Sequence, residues 1–541
     1  MSTGCIAGTF AQGVAVSQSG QVAAVGSRSL ESARKFAAAH TIPRAHGSYE
    51  ALLADPEIDA VYIATPHPQH AEWVIKAAEA GKHILCEKPM GLNHAEAMVM
   101  VQAARDHGVV LMEAFMYRCH PQTAKIVELI RSGALGTVGL VQATFSFKCD
   151  YDPTSRLWAN EAGGGGILDV GCYAVSMARL VAGAASQKAF LNPIAVSGAG
   201  VLHPESGADV VSAATLKFEN NVIAQVATGV GLNQENVVRI YGTSGWLLVP
   251  SPWGINCGPG PLKIILHKAG VSEPEEITIE GAPVYALEAD VFAAAVRAGL
   301  PDVPQMSTAD TLGNLATLDQ WRAAIGLTYA AEQPAAYTHT IARRPLRRRE
   351  SAPMTYAPIS GVAIPISRLV MGCDNQPTMP HAAAMWDDFF ERGGNTFDTA
   401  WLYNDGLQEK LLGQWIKNRD LRNDVVVIAK GGHPPHCTPD AITLQLHETL
   451  ARLQTDRVDI YFIHGDNPAV PVGDFIDVLN EHVRAGRIGI FGGSNWNIER
   501  TAAANRYAKR KGLQGFGALS NHFSLARMMD APWSGGISSS D

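Results

Sequence analysis

A small-residue turn ahead of a helix, a cation at the end of the next strand, and polar residues at later strand ends are the features that could do chemistry. In STGCIAGTFAQGV (2–14), Ser2, Gly4 and Ala7 fit a degenerate G-x-G-x-x-A loop. Gly4 would let a pyrophosphate approach the backbone. Ile6 and Ala7 would follow in the first turn, where the helix N-terminus offers N–H donors and a favourable dipole. The next strand ends in Gly26-Ser27-Arg28-Ser29, where an NAD-reading fold places Asp or Glu on the ribose 2′-OH. A hydroxyl and a cation suit a 2′-phosphate, so NADP(H) is favoured and NAD(H) stays open. The plain alternatives are a common small-residue turn and a solvated arginine.

Four further residues, Asp398, Tyr403, Lys430 and His464, each follow or end a predicted strand. Parallel barrels build their active sites at that end. Singly they read as a helix cap, a surface tyrosine, a strand-end lysine and a satisfied histidine.

The elements that must position these residues follow from periodicity. Short apolar runs at 22–26, 59–65 and 83–86 alternate with helical patterns at 30–39, 71–80 and 94–107, which predicts a doubly wound parallel sheet. From about 138 to 250 the runs 138–147, 210–218, 221–230 and 237–242 are β-rich with few helices, predicting a large, mostly antiparallel sheet, closed by helices at 285–298 and 307–325. Residues 341–357 are Arg- and Pro-rich without hydrophobic period and read as an exposed tether rather than a polyanion-binding patch. Strand candidates then recur at 368–372, 395–400, 424–430, 458–465, 488–495 and 515–522, six βα units where a (β/α) barrel has eight. The α/β chain therefore divides into a Rossmann domain (1–120), an α+β sheet domain (121–340), the tether, and a partial TIM barrel (358–541).

The 541 residues are 47% hydrophobic and 17% charged, an ordinary globular composition. A net charge of -8 argues against nucleic acid or an anionic membrane as the main partner. The eight cysteines (Cys5, Cys86, Cys119, Cys149, Cys172, Cys257, Cys373 and Cys437) show no CxxC spacing. They read as free thiols of a reducing compartment, with no metal site expected. Without a recognisable leader or an apolar run of about 18–20 residues, a cytoplasmic location is the default.

The stretch GKHILCEKPMGLN (81–93), with Glu87-Lys88-Pro89 at a strand end, makes the first 340 residues resemble the Gfo/Idh/MocA oxidoreductases, in particular the glucose–fructose oxidoreductase and dihydrodiol dehydrogenase branch. Supporting stretches are ATPHPQHAEW (64–73), MEAFMYRCHP (112–121), RLWANEAGGGGILDVGCYAV (156–175) and ALEADVFAAAVRAG (286–299). The resemblance implies that Lys88 meets substrate and nicotinamide at the hydride-transfer centre, with Asp169 and Tyr173 presented at i,i+4 on one helical face. Tyr173 could take the alcohol proton if Lys88 lowers its pKa from about 10; Lys88 could instead be the acid/base itself. Thr65, Pro66, His70, Glu87 and Arg118 are expected as further cofactor contacts, with Arg156 and Trp158 as second-tier contacts, Trp158 reading equally as core packing.

The second half, through FDTAWLYNDGLQEKLLG, IAKGG and DIYFIHGDNP, resembles the aldo-keto reductases. That implies Tyr403 as the general acid, Lys430 and Asp398 to make its proton easier to give, and His464 to orient the substrate. Ser494 and Asn495 match the nicotinamide-amide contacts, whereas the family's Asn-Gln pair reads Asn521-His522 here.

The expected activity is hydride transfer between NADP(H) or NAD(H) and a sugar, polyol or related cyclic alcohol or carbonyl. An NAD-dependent glycosidase acting by transient oxidation and elimination, or a non-catalytic nucleotide-binding protein, are the alternatives. If both modules work, one could recycle cofactor for the other. The partial barrel is not expected to turn over alone. Only Met1-Ser2-Thr3 precede Gly4, so the chain is expected to start upstream and to continue past Asp541. Homo-oligomerisation through the sheet domain is expected by analogy with the family.

Overall fold

Alternating strands and capped helices build the nucleotide-binding part. In the computed structural model, which describes residues 1–254, 260–281, 283–524, 528–531 and 535–539, Ala24–Gly26 pairs in parallel with Arg44–His46. Separately, Ala60–Ile63, His83–Glu87 and Leu111–Ala114 form a parallel three-stranded ladder. Helices Leu30–Ala39 and His94–Asp106 begin where the Ser29 and Asn93 side chains accept from Ser32 and Glu96 N–H, satisfying donors a helix start leaves open. Cys257 lies outside the described residues.

The expected absence of a full first strand shows as a slot between the two ladders. Its volume is about 590 Å³ and its lining includes Phe10, Val25, Ile58, Val61, Leu85 and Phe292. Met1 and Ser2 span its end. The Met1 amino group donates to Tyr62 O at 2.7 Å, Ala64 N–H donates to Met1 O at 3.1 Å, and Ser2 N–H donates to Gly26 O at 3.0 Å. These are parallel-ladder contacts to both sides. Burial pushes the Met1 amino group down to about 5.

The second sheet has eight strands, in the order Glu275–Ile279, Leu262–Lys268, Gly245–Val249, Val238–Gly242, Val138–Ser146, Ile223–Gly229, Asp209–Lys217 and Ala195–Leu202. Only the pairing of Val138–Ser146 with Ile223–Gly229 is parallel. The alternating burial along Asp209–Lys217 and Ile223–Gly229 leaves one face covered and one open. Four of these strands escaped the sequence reading. Ala195–Leu202, for instance, is an edge strand with no buried residue, so its sequence carries no apolar face. The stretch Ile167–Ala184 is an 18-residue window of mean hydropathy 1.4, which corrects the expectation of no such run; it is wholly buried, as a core helix is.

The chain forms two compact units, Met1–Ala331 and Glu332–Asp541. In the second, Met371–Gly372, Thr396–Asp398, Val426–Gly431, Val458–Ile463, Ile488–Ser494 and Ala518–Ser520 make a six-stranded parallel sheet in sequence order, as expected of a partial barrel. A hairpin of Tyr356–Ala357 and Ile366–Ser367 precedes it. Ile359, Val362, Ile364 and Ile366 in and beside that hairpin pack on the inner cluster of Val426, Ile428, Ile460, Phe462 and Ile490.

The expected tether is exposed along most of its length, Arg343, Arg344, Arg347, Arg348 and Arg349 included. The units divide ahead of it, and its residues lie on the second unit. Arg349 N–H donates to Glu391 O at 2.8 Å, and the Arg348 guanidinium sits 5.1 Å over Phe390. Upstream, Arg419 donates to the Tyr337 and His339 carbonyls at 2.7 and 2.8 Å. Arg348 and Arg349 thus touch the second unit while staying exposed, contacts that composition does not reveal.

Candidate functional site

Most of the named cofactor residues stand at the C-terminal ends of the parallel strands. Ser27 and Arg28 follow Ala24–Gly26, Thr65 and Pro66 follow Ala60–Ile63, and Glu87 and Lys88 close His83–Glu87. Gly4 is the N-cap of Cys5–Val14, no side chain caps that helix, and Ile6 and Ala7 form its first turn. Its leading N–H groups are therefore open to an anion. Arg28 is exposed and makes no ion pair among the described residues, while Ser27 is buried beside it. An uncapped helix start and a free cation fit a phosphorylated dinucleotide.

Lys88, Asp169 and Tyr173 converge. Asp169 lies in a π-helical turn, Ile167–Gly171, and Tyr173 in the helix Cys172–Ala184 that continues it. Lys88 Nζ donates to the Asp169 carbonyl at 2.6 Å, stands 3.8 Å from its Oδ1, and lies 5.3 Å from the Tyr173 ring centre. Arg156 approaches Asp169 Oδ1 at 3.3 Å from a half-exposed position. Burial opposes ionisation of Asp169, but Lys88, Arg156 and His67 hold its carboxyl below the usual range. Burial likewise works against the Lys88 ammonium and is the largest single influence, but Asp169, Cys172 and Glu87 together outweigh it and the net direction is upward.

The expectation that Lys88 lowers the Tyr173 pKa is overturned. Tyr173 is 1% exposed, and burial, then Glu87, push its hydroxyl well above the ordinary value. The hydroxyl is directed at Met116 Sδ, 3.4 Å away, inside a cage of Phe115, Tyr117, Phe145 and Trp253. Lys88 meets the ring, not the oxygen. The sequence reading singled out none of the cage residues: Phe115 and Tyr117 lie inside the MEAFMYRCHP stretch without being picked out, and Phe145 and Trp253 come from other segments.

Two other expected cofactor contacts are engaged elsewhere. Arg118 donates to Asp310 Oδ2 at 2.6 Å and to Ser176 Oγ at 3.0 Å, and Arg179 reaches the same carboxylate at 2.6 Å. All three charged groups are buried, so Arg118 holds helices together instead of facing a phosphate. The His70 ring lies between Thr65 O at 2.7 Å and Pro89 O at 3.0 Å. Burial pushes it down to about 4 despite these carbonyls, so at neutral pH the uncharged ring has one N–H, matching the shorter contact. The His70 ring packs between the Thr65 turn and the Lys88–Pro89 turn. Glu87 is bonded to the Tyr62 hydroxyl and accepts from Lys88 N–H at 3.2 Å. Trp158 is buried and donates to Asp150 O at 3.0 Å, a packing role.

The second unit brings its four residues together. Lys430 Nζ lies 2.7 Å from Asp398 and 3.2 Å from the Tyr403 hydroxyl. The His464 ring stands edge-on to Tyr403 at 5.6 Å. Burial, then Lys430 and His433, push that imidazole down to about 3, so it is neutral. Ser494 donates to Ser520 O at 2.9 Å, and Asn495 Oδ1 accepts from Ile537 N–H at 3.1 Å. Asn521 holds Trp496 through both ends of its amide. Among the described residues no cluster of His, Cys, Asp or Glu could hold a metal.

Fold and site define a nicotinamide-dependent oxidoreductase: a dinucleotide-binding domain whose strand-end lysine meets a helix-borne aspartate against a large sheet. Residues 3–115 match the oxidoreductase family with NAD-binding Rossmann fold, 123–248 the GFO/IDH/MocA C-terminal domain, and 370–532 the aldo/keto reductase family. Mouse trans-1,2-dihydrobenzene-1,2-diol dehydrogenase is 33% identical, over 58% of this chain and 91% of its own. A D-xylose 1-dehydrogenase (NADP(+)) of Haloferax volcanii is 34% identical, over 55% of this chain and 88% of its own. The crystal structure of a 3-ketoreductase from Actinomadura kijaniata with NADP and TDP-benzene has a TM-score of 0.53 at 25% identity, covering 60% of this chain and 95% of that one. The chain belongs to the Gfo/Idh/MocA family of oxidoreductases and carries an aldo-keto reductase segment behind it.

Proposed function

We propose that the first unit interconverts an alcohol and a carbonyl on a sugar or related cyclic polyol, using NADP(H), with Lys88 as the group that exchanges the proton. The observation that carries this is the Lys88 ammonium, held charged beside Asp169 at the rim where the cofactor residues gather. When bound, the nicotinamide supplies or accepts the hydride. In the reducing direction the Lys88 ammonium gives a proton to the carbonyl oxygen; in the oxidising direction the neutral amine, left after the ammonium has lost a proton to solvent, takes one from the hydroxyl. Asp169 holds that ammonium in place. The Tyr173 ring floors the site, and its caged hydroxyl contributes shape. Arg156, at the open side of Asp169, offers a cation to substrate oxygens. Ser27 and Arg28 support the choice of NADP(H), as do the cofactors named for the xylose dehydrogenase and the 3-ketoreductase. A panel of keto-sugars, aldoses and cyclic diols with NADPH or NADP tests the reading; a chain that turns over none of them ends it.

For the second unit we propose a carbonyl-reducing tetrad with Tyr403 as proton donor. The Lys430 bridge between Asp398 and Tyr403 favours it. Ser494 and Asn495 are engaged by the chain's own carbonyl and N–H, so this unit is expected to contribute no turnover while those bonds hold. Equal chain activity with and without Tyr403→Phe is the expected result. We propose that any self-association uses the open face of the eight-stranded sheet, where a shallow pocket is lined by Ser197, Ala213 and Gln225; sedimentation at two concentrations tests it.

A further inference from the structure

Four consecutive glycines, 163–166, lead into the π-turn that carries Asp169. Glycine gives a chain the most conformational freedom, so this loop does not by itself fix where Asp169 goes. Contacts from outside do. The Gly163 carbonyl is met by His67 Nε2 at 3.0 Å, and the Gly166 carbonyl accepts from the Thr228 hydroxyl at 3.0 Å. The first N–H of the π-turn, that of Ile167, donates to Asp209 Oδ2 at 2.8 Å.

Asp209 opens the strand Asp209–Lys217, and Thr228 lies on its neighbour Ile223–Gly229. The rigid sheet therefore supplies both anchors. Gly165 pairs with Asp209 in an isolated parallel bridge. Its φ is +112°, and a Cβ there would come within 2.0 Å of Asp209 Oδ1. Loop and carboxyl are fitted to each other so closely that no side chain can stand between them.

Asp209 is fully buried. Burial pushes its carboxyl up to about 7, against the N–H groups around it and, more weakly, Arg322. A carboxyl in such a place costs stability unless its bonds compensate. Its Oδ2 accepts from the turn that delivers Asp169 to Lys88.

We propose that Asp209 is a positioning residue for the Lys88–Asp169 pair, fixing the start of the π-turn so that the Asp169 carbonyl and carboxylate meet the Lys88 ammonium. The kinetic consequence rests on Lys88 being the proton-exchanging group; the geometric consequence does not. The test therefore reads both, on the full chain. Competitive acetylation followed by mass spectrometry reports the reactivity of Lys88 against the other lysines. Losing Asp169 from beside it frees the amine and makes it easier to deprotonate, so Asp209→Leu is expected to raise Lys88 labelling several-fold. Asp209→Asn keeps an acceptor oxygen and is expected to label like wild type.

In turnover, Asp209→Leu is expected to lower kcat by about 10²-fold, the effect of a misplacement of about 1 Å, with NADPH affinity unchanged because the cofactor residues stand on other elements. Asp209→Asn is expected to restore most of kcat. Wild-type labelling of Lys88 in a folded Asp209→Leu chain, or no rescue by Asn, overturns the proposal. If Asp209→Leu does not fold, Thr228→Val decides it: raised Lys88 labelling supports the clamp, unchanged labelling refutes it. A wild-type chain without turnover would refute the proposed reaction, while the labelling result still decides the role of Asp209.

Discussion

Lys88 donates to the main-chain carbonyl of Asp169 at 2.6 Å and stands 3.8 Å from its carboxylate. The lysine is thereby held by the helix turn itself and charged by the side chain. On the proposed reading, this ammonium is a proton donor already in place before substrate arrives.

Arg28, the residue proposed to select the cofactor, is exposed at the strand end and makes no ion pair among the described residues. Charged hydrogen bonds are worth about 1.5–3 kcal/mol, so Arg28→Asp is expected to weaken NADPH by roughly 10- to 100-fold. NADH binding is expected to change little. Titrations followed by protein-to-nicotinamide energy transfer check both.

The buried carboxylate of Asp310 serves two buried guanidiniums, Arg118 and Arg179, at 2.6 Å each. Removing it leaves two uncompensated charges. Asp310→Ala is expected to destabilise the first unit by about 3–5 kcal/mol in urea unfolding. The second unit's unfolding is expected to stay where it is.

Glu113 is fully buried and accepts from Met90 N–H at 2.8 Å. Burial pushes its carboxyl from 4.5 to about 7. Between those values the folded chain holds a proton that the unfolded chain has released. Glu113 therefore costs progressively more stability as pH climbs through that window, and the cost levels off above about 7. Relative to wild type, Glu113→Gln is expected to gain stability over the same climb. Unfolding measured at pH 5, 6 and 7 on both proteins reads the difference.

The slot between the two parallel ladders is apolar and already holds Met1 and Ser2 by ladder contacts. An engineered extension of five alternating apolar residues ahead of Met1 is expected to continue that pairing. Each buried apolar side chain contributes about 1.5–3 kcal/mol, so a rise in unfolding free energy of several kcal/mol is expected. A Gly/Ser extension of equal length is expected to give none.

The strand-end residues were legible because a parallel sheet gathers its chemistry at one edge. Gly4, Arg28, Lys88, Asp398 and Lys430 could be placed from periodicity and motif alone. What was not legible depends on partners far along the chain. Arg118 lies 192 residues from Asp310. Tyr173 is caged by Trp253 and Phe145, and the hydroxyl that the sequence offered as a base faces a methionine sulfur. The tether's exposure was legible, but not the contacts of Arg348 with Phe390 and of Arg349 with Glu391, because composition does not record partners.

The most direct test of Lys88 as the proton-exchanging group compares Lys88→Ala with Tyr173→Phe in NADPH-dependent reduction of a keto-sugar. General acid catalysis contributes about 10²–10⁴-fold, so Lys88→Ala is expected to lose that much in kcat while Tyr173→Phe keeps most of it. A Tyr173→Phe chain as inactive as Lys88→Ala, with NADPH binding intact in both, would contradict this account and return the proton to the tyrosine.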